Sequence, residues 1–367
     1  MPKISVIVPC CNVAAYVDTC LESLCNQTLA DIEIICIDDN STDNTTDIIA
    51  EYAAHDARIR LIKSKKKIGT GAARNMGIDA ARGKYVGFVD ADDWVDSDFY
   101  QNLYDAAVAG RADIAKARLC EHDVYGRTAF WARLNITDGD GRYVFLSEFT
   151  TAIYARKMLK AHGVRFPDGH CMGEDIYFLC LAVHFANRVV AAPDTEYHYI
   201  RRSDSVEAQT ISRPMITDAV TCAKKIVSWA NDCADMSDAG YAAIVRRAAQ
   251  ICTYVCDKRI NGRQDWMQLA HCMTWIYENC RMRDCLRDVF GGKLFAAIDA
   301  GDMNRIYDII STRTRRTTLF GILPLCKVRR NQSVTRVYLF NVIPVCKITH
   351  TYKTQFYVFG ILILKTK

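Results

Sequence analysis

Two acidic clusters have the residue types and spacing to do chemistry: Ile37-Asp38-Asp39-Asn40-Ser41-Thr42-Asp43 and Phe88-Val89-Asp90-Ala91-Asp92-Asp93. Each follows a short apolar run that reads as a buried strand, so both set carboxylates at strand ends, where open α/β sheets bind ligands. An Asp-x-Asp pair at such an edge suits a hard divalent cation. Mg²⁺ or Mn²⁺ takes oxygens from one or two carboxylates and completes its shell with diphosphate oxygens and water. The expected ligand is therefore a nucleoside diphosphate held through a metal. Competing readings are structural: Asp38, Asn40 and Ser41 as a turn, Thr42 and Asp43 as a helix cap, and the second cluster as an exposed turn before a helix capped at Asp96.

The elements that must position these groups alternate along the chain. Strands are expected at 4–8, 32–37, 59–62, 85–89 and 113–116, with helices over 16–26, 47–54, 71–81 and 100–109. Short apolar runs alternating with helical segments predict a doubly wound, mostly parallel sheet covered on both faces. Residues 120–146 are polar and aromatic with turn signals, and 147–162 reads as a helix. After a loop carrying Phe166-Pro167-Asp168-Gly169-His170, Gly173-Glu174-Asp175 opens an apolar helix over 176–185. Beyond Arg213-Pro214 the pattern is helical without strands to about 310. The expected division is 1–215, a helical domain 216–310, and a tail 311–367.

Half of the 367 residues are hydrophobic, enough for a sizeable core. Nothing at Met1-Pro2-Lys3 resembles a signal peptide, so the cytoplasm is the expected compartment. The 17 cysteines are scattered through apparent core segments and read as buried thiols. None forms a Cys-x-x-Cys pair, and Cys252/Cys256 and Cys280/Cys285 lack a His at zinc-finger distance, which argues against a structural zinc site. The net charge of +5 is uneven. The tail holds 11 Lys and Arg and no acid, leaving 36 basic against 42 acidic residues, a net −6, in the first 310. It also repeats: Leu319-Phe320-Gly321-Ile322-Leu323-Pro324-Leu325-Cys326-Lys327 recurs at 339–347 and, more loosely, at 358–365.

Taken together, Ser5-Val6-Ile7-Val8-Pro9, Asp38-Asp39-Asn40-Ser41-Thr42-Asp43, Gly71-Ala72-Ala73-Arg74-Asn75, Asp90-Ala91-Asp92-Asp93, Gly173-Glu174-Asp175 and Tyr197-His198-Tyr199-Ile200-Arg201 resemble a family 2 glycosyltransferase of the GT-A fold over roughly the first 215 residues. The resemblance implies that Pro9, Asp38 and Asp39 hold the nucleoside, that Asp92 with Asp90 binds Mn²⁺ or Mg²⁺, and that Asp93 supports them. It further implies that Asp175, with Glu174 as runner-up, is the general base. His170, Tyr197, His198, Tyr199, Arg201 and Arg202 fall where similar enzymes line the acceptor site or close over the diphosphate. Arg74 either approaches the nucleotide or steadies the Asp cluster; a surface salt bridge is the other reading. Gly69-x-Gly71 lacks the third glycine of a dinucleotide fingerprint, which disfavours a Rossmann dehydrogenase.

The expected function is an inverting, metal-dependent transferase moving a sugar from a nucleotide sugar, a UDP-sugar by resemblance, to a glycan or lipid-linked acceptor. The alternative is a non-catalytic sugar-nucleotide-binding or membrane scaffold with the same fold. The tail's apolar runs are shorter than the roughly twenty residues that span a bilayer. Their interleaved Lys and Arg suit an anionic membrane surface, which would place the protein peripherally on the inner face of the cell membrane. No nucleic-acid partner is expected, since the tail matches no recognition module.

Overall fold

In the computed structural model the described residues are 1–122, 128–132, 148–167, 169, 172–201, 211–258, 260 and 262–314, with the strands between 318 and 365. His170 and Arg202 lie outside them.

The mixed α/β architecture is the expected one. Strands β1 (Ile4–Cys10) and β2 (Ile32–Asp38) are buried at every residue, and β3 (Ile59–Lys63) and β4 (Tyr85–Phe88) flank them in parallel. Burial on both faces is why β1 and β2 read as continuous apolar runs rather than alternating ones. Helices α1 (Val17–Cys25), α2 (Thr45–His55) and α3 (Thr70–Ala80) connect them. Helix α3 crosses β1 closely: a Cβ on Gly77 would stand 2.4 Å from Ile7 Cγ2, so only glycine fits there.

The sheet then turns mixed. With β5 (Trp94–Val95), α4 (Phe99–Ala109), β6 (Ile114–His122), β7 (Thr128–Ala132), β8 (Ala152–Ala155) and β9 (Val189–Ile200), it has nine strands in the order β3-β2-β1-β4-β8-β6-β9-β5, with β7 on β6. Strand β8 corrects the helix expected over 147–162. It enters antiparallel between β4 and β6; among the described residues of that stretch the helical parts are a 3-10 turn (Phe149–Thr151) and α5 (Arg156–Ala161). Ile153 and Tyr154 are fully buried there, and Tyr154 packs against Phe88 with ring centroids 6.0 Å apart. Pairing with two strands from elsewhere in the chain overrode the local periodicity.

Helix α6 (Glu174–Phe185) leads through β9 to a helical layer: α7 (Arg213–Asp232), α8 (Asp238–Cys256), α9 (Arg263–Asn279), α10 (Arg287–Phe290), α11 (Gly292–Asp299) and α12 (Met303–Thr314). Pro214 sits in the first turn of α7, where its missing N–H has no helical partner to lose. One apolar core runs from Ile7 on β1 through Phe178 on α6 to Ile310 on α12. In the tail, β10 (Thr318–Leu319) pairs with β11 (Leu323–Pro324), and β12 (Cys326–Arg330) to β16 (Ile361–Lys365) form a five-stranded antiparallel sheet. Each later repeat starts at the last residue of one strand and runs into the next: Leu339 ends β13 (Val334–Leu339) before β14 (Ile343–His350), and Val358 ends β15 (Thr354–Val358) before β16.

Candidate active site

The parallel strands β1, β2 and β4 deliver their carboxyl ends to one edge, and the sequence-predicted groups gather along it. Pro9 lies next to the end of β1, paired with Ile37, and the Cys10 carbonyl accepts from the Asp39 N–H at 2.8 Å. Asp38 is buried, accepting from the Ser41 N–H at 3.2 Å and the Thr46 hydroxyl at 2.8 Å. Asp39 is also buried, and its two oxygens accept from the Ile68 and Gly69 N–H groups at 2.7 and 2.8 Å. Asp39 therefore clamps the loop ahead of α3 across the strand ends. Asn40 takes a left-handed φ of 56°, a conformation asparagine tolerates. Asp43 accepts from the Thr45 N–H and hydroxyl, so part of the first motif is the turn and helix start that the competing reading foresaw.

The second cluster divides between inside and outside. Asp90 and Asp92 are partly exposed, while Asp93 is 2% exposed. Asp93 accepts from the Tyr197 hydroxyl at 2.7 Å and the Ile200 N–H at 2.9 Å, and the same Tyr197 hydroxyl accepts from the Asp90 N–H at 3.1 Å. Tyr197, expected near the acceptor, is instead a fully buried strut tying the Asp-x-Asp turn to β9. Burial pushes the Asp93 carboxyl well above the usual carboxylate range, and the Asp92 and Asp90 charges add to it.

Arg74 on α3 joins the two halves of the site. Its guanidinium is 6% exposed and reaches Asp90 at 2.8 Å and Glu174 at 3.2 Å, so it is neither a surface salt bridge nor an open arm. The Phe149 and Phe166 rings lie 4.6 and 5.2 Å from it, which lowers the cost of burying the charge. Beneath, Phe88, Phe149, Phe166 and Phe178 form an aromatic cluster, with Phe166 stacked on Phe178 at 4.2 Å. Asn75 fixes the Phe166 backbone by a reciprocal pair: its amide donates to Phe166 O at 2.9 Å, and Phe166 N–H donates to Asn75 Oδ1 at 3.0 Å. Sequence reasoning gave Asn75 no role, and its partner, 91 residues on, carries no local signal.

Glu174 and Asp175 open α6 as expected, facing Asp90 across Arg74. Burial first, then the neighbouring Asp175 charge, push Glu174 up to about 7 against the pull of Arg74. Burial also raises Asp175, opposed by the Ile176 N–H and the Arg74 and Arg247 charges. Asp175 makes no side-chain ion pair among the described residues. Arg201 does not join this group. It is exposed at the end of β9 and paired with Glu121.

The donor set fits a hard divalent cation. Asp90, Glu174 and Asp175 act on the one buried guanidinium, Asp92 and Asp90 act on Asp93, and burial first, then these like charges, raise Asp93 and Glu174. Asp92, with the Asp90 oxygen that Arg74 does not hold, offers the oxygen ligands Mg²⁺ or Mn²⁺ prefers.

A mixed sheet with carboxylates at the ends of its parallel strands and an acidic pair opening a facing helix defines the GT-A class of fold. The chain belongs to glycosyl transferase family 2, whose model matches residues 5–173. Among curated relatives, the glycosyltransferase GlyG of Streptococcus pneumoniae is 30% identical over 246 residues, 61% of this chain and 79% of that one. The putative glycosyltransferase EpsH of Bacillus subtilis is 32% identical over 209 residues, 54% of this chain and 60% of that one. The chain thus spans three fifths of EpsH, and about a third of some other curated relatives. Residues 1–349 of S. aureus TarS, solved with UDP-GlcNAc, share the fold at a TM-score of 0.67 and 20% identity, covering 93% of this chain and 97% of that one.

Proposed function

We propose that the protein is an inverting glycosyltransferase that moves a sugar from a nucleotide-diphosphate sugar, a UDP-sugar, to a hydroxyl of a glycan or lipid-linked acceptor in cell-surface glycan assembly. The observation that carries this reading is the Arg74 bridge. One buried guanidinium holds Asp90 of the Asp-x-Asp turn and Glu174 of the α6 pair, 16 and 100 residues away, in one cleft. UDP as the nucleotide and surface glycans as the product are carried over from the relatives.

In this reading the nucleoside lies over the ends of β1 and β2, against Pro9, Asp38 and the loop Asp39 clamps. Asp92 and Asp90 hold a Mg²⁺ or Mn²⁺ ion, which when bound draws negative charge from the departing diphosphate. Asp175 takes the proton from the acceptor hydroxyl as that oxygen attacks the anomeric carbon from the face opposite the nucleotide. Arg74 keeps Glu174 in place beside it, and Arg201 is free to move toward the diphosphate only by leaving Glu121. The test is calorimetric titration of UDP with and without Mn²⁺, with GDP as control, followed by a screen of UDP-sugars. Binding of neither nucleotide to folded protein would remove the donor-site assignment.

Two further outcomes follow from the geometry. Removing the base should cost about 10²–10⁴ in turnover, so Asp175→Asn should fall in that range and Glu174→Gln less; the reverse order would move the base to Glu174. Glu174 also sets a pH dependence of stability. Its folded pKa of about 7 lies above the ordinary 4.5, so the folded state favours the protonated acid. That contribution is present in full below the unfolded value and is lost as pH rises through the folded one. Urea midpoints of the wild type should therefore decline relative to Glu174→Gln between about pH 5 and about pH 8; a constant difference would contradict the shift.

The basic, acid-free tail completes the proposal as a surface for anionic membrane. Co-sedimentation with phosphatidylglycerol vesicles, lost in neutral vesicles and at high salt, would support it; equal sedimentation with both would not.

A further inference from the structure

A second cluster lies on the β6–β9 strand pair, beside the Asp-x-Asp turn. Strands β6 and β9 run parallel with Cys120 opposite His198 and His122 opposite Ile200, so Cys120, His122 and His198 share one face. Their ligating atoms, Cys120 Sγ and one ring nitrogen from each histidine, all lie within 4.8 Å of one another. All three residues are buried, at 2%, 8% and 7% exposure. His122 Nε2 and His198 Nδ1 face each other at 2.9 Å, and His198 Nε2 meets Asp96 Oδ1 at 2.9 Å. Trp94 of β5 covers the group, stacked on His198 with centroids 3.5 Å apart and planes within 4°.

We propose that Cys120, His122 and His198 form a metal site for a borderline-soft divalent cation, Zn²⁺ in the first instance, with Asp96 orienting His198 from behind. The donor set is that of zinc rather than of Mg²⁺ or Mn²⁺: one thiolate and two imidazoles. Two ring nitrogens facing each other hold a single proton between them, and a cation in that place accepts from both. With Zn–N of about 2.0–2.1 Å, tetrahedral geometry sets two such nitrogens about 3.3 Å apart, so the pair opens by a few tenths of an ångström. The carboxylate on the far nitrogen of His198 is the partner that zinc-bound histidines use to fix tautomer and ring orientation. Asp96 is itself held in place, its other oxygen accepting from the Glu196 N–H at 2.9 Å. Binding releases the Cys120 thiol proton to solvent as the metal–sulfur bond forms, while the proton between the rings moves to His122 Nδ1, so that both imidazoles bind neutral. Water takes the fourth position.

The consequence is positional. Trp94 follows Asp92 by two residues, so a metal that fixes the β5–β9–β6 edge also fixes the end of the Asp-x-Asp turn. No zinc-finger spacing announces the site because His198 arrives 76 residues after His122.

The test uses the full chain, stripped with chelator and titrated with CoCl₂. The wild type should develop a thiolate-to-cobalt charge-transfer band that saturates at one ion per chain and is displaced by ZnCl₂. Mn²⁺-type binding at carboxylates gives no such band. Cys120→Ser should lose the band with an unchanged far-ultraviolet circular dichroism spectrum, and Asp96→Asn should weaken Zn²⁺ about 10–100-fold. Absence of the band in the wild type overturns the proposal, as does its persistence in Cys120→Ser. If that variant does not fold, His122→Gln serves the same comparison, and a band retained there overturns it equally.

Discussion

Asp92→Asn is expected to reduce Mn²⁺-dependent UDP binding to the level measured without metal, and to cut any transferase activity by about 10³-fold. The substitution removes one anionic oxygen ligand and leaves the shape of the side chain. It should not cost stability, because it relieves repulsion on Asp93, whose carboxyl is pushed well up by burial and then by the Asp92 and Asp90 charges. The thermal midpoint should hold or rise slightly. Calorimetry on the folded variant decides the matter. Undiminished metal-dependent binding would show that Asp92 is not a ligand, and a lowered midpoint would show that it serves the fold instead.

Arg74→Met is expected to be the most damaging substitution in the cleft. Breaking a buried ion pair by removing one partner costs about 3–5 kcal/mol, because the other charge is left uncompensated. Glu174 is 12% exposed and Asp90 31%, so water recovers part of the Asp90 loss and the lower end, about 3 kcal/mol, is expected. Glu174 then protonates at a higher pH still, since Arg74 is the charge that pulls it down. Chemical denaturation of Arg74→Met against wild type measures the loss. Adding Glu174→Gln in the same chain should recover part of the loss at pH above the raised Glu174 value, where the single variant buries an unpaired carboxylate, and little below it. A loss below about 1 kcal/mol, the scale of a surface pair, would mean that the bridge is not closed in solution.

Much of the strand-end part of the candidate site could be read from the sequence, because the signals there are local. An apolar run followed by acids is a strand and its end. The residues of β1, β2 and β4 lie on both faces of a covered sheet, so their apolar character did not depend on partners elsewhere. The Asp90-to-Asp93 motif was legible as a unit, but its division was not: which acid faces the cleft and which turns inward to Tyr197 depends on β9, whose pairing is set a hundred residues later. The helix expected over 147–162 failed for the same reason, since Ile153 and Tyr154 suit helix or strand and only the gap between β4 and β6 decides.

The sequence by itself determined the family, the alternation of strand and helix through β4, the strand-end carboxylates and the helix opened by Glu174-Asp175. These rest on short-range patterns and on motif order. Only the tertiary structure decided that Arg74 is an internal bridge, that Asp39 clamps the loop before α3, that Arg201 pairs with Glu121 outside the acidic group, and that Cys120, His122 and His198 meet on one sheet face. Each of those depends on which strands become neighbours and in what register. A shift of one residue in a strand turns every side chain to the other face, and no local pattern in the chain encodes that choice.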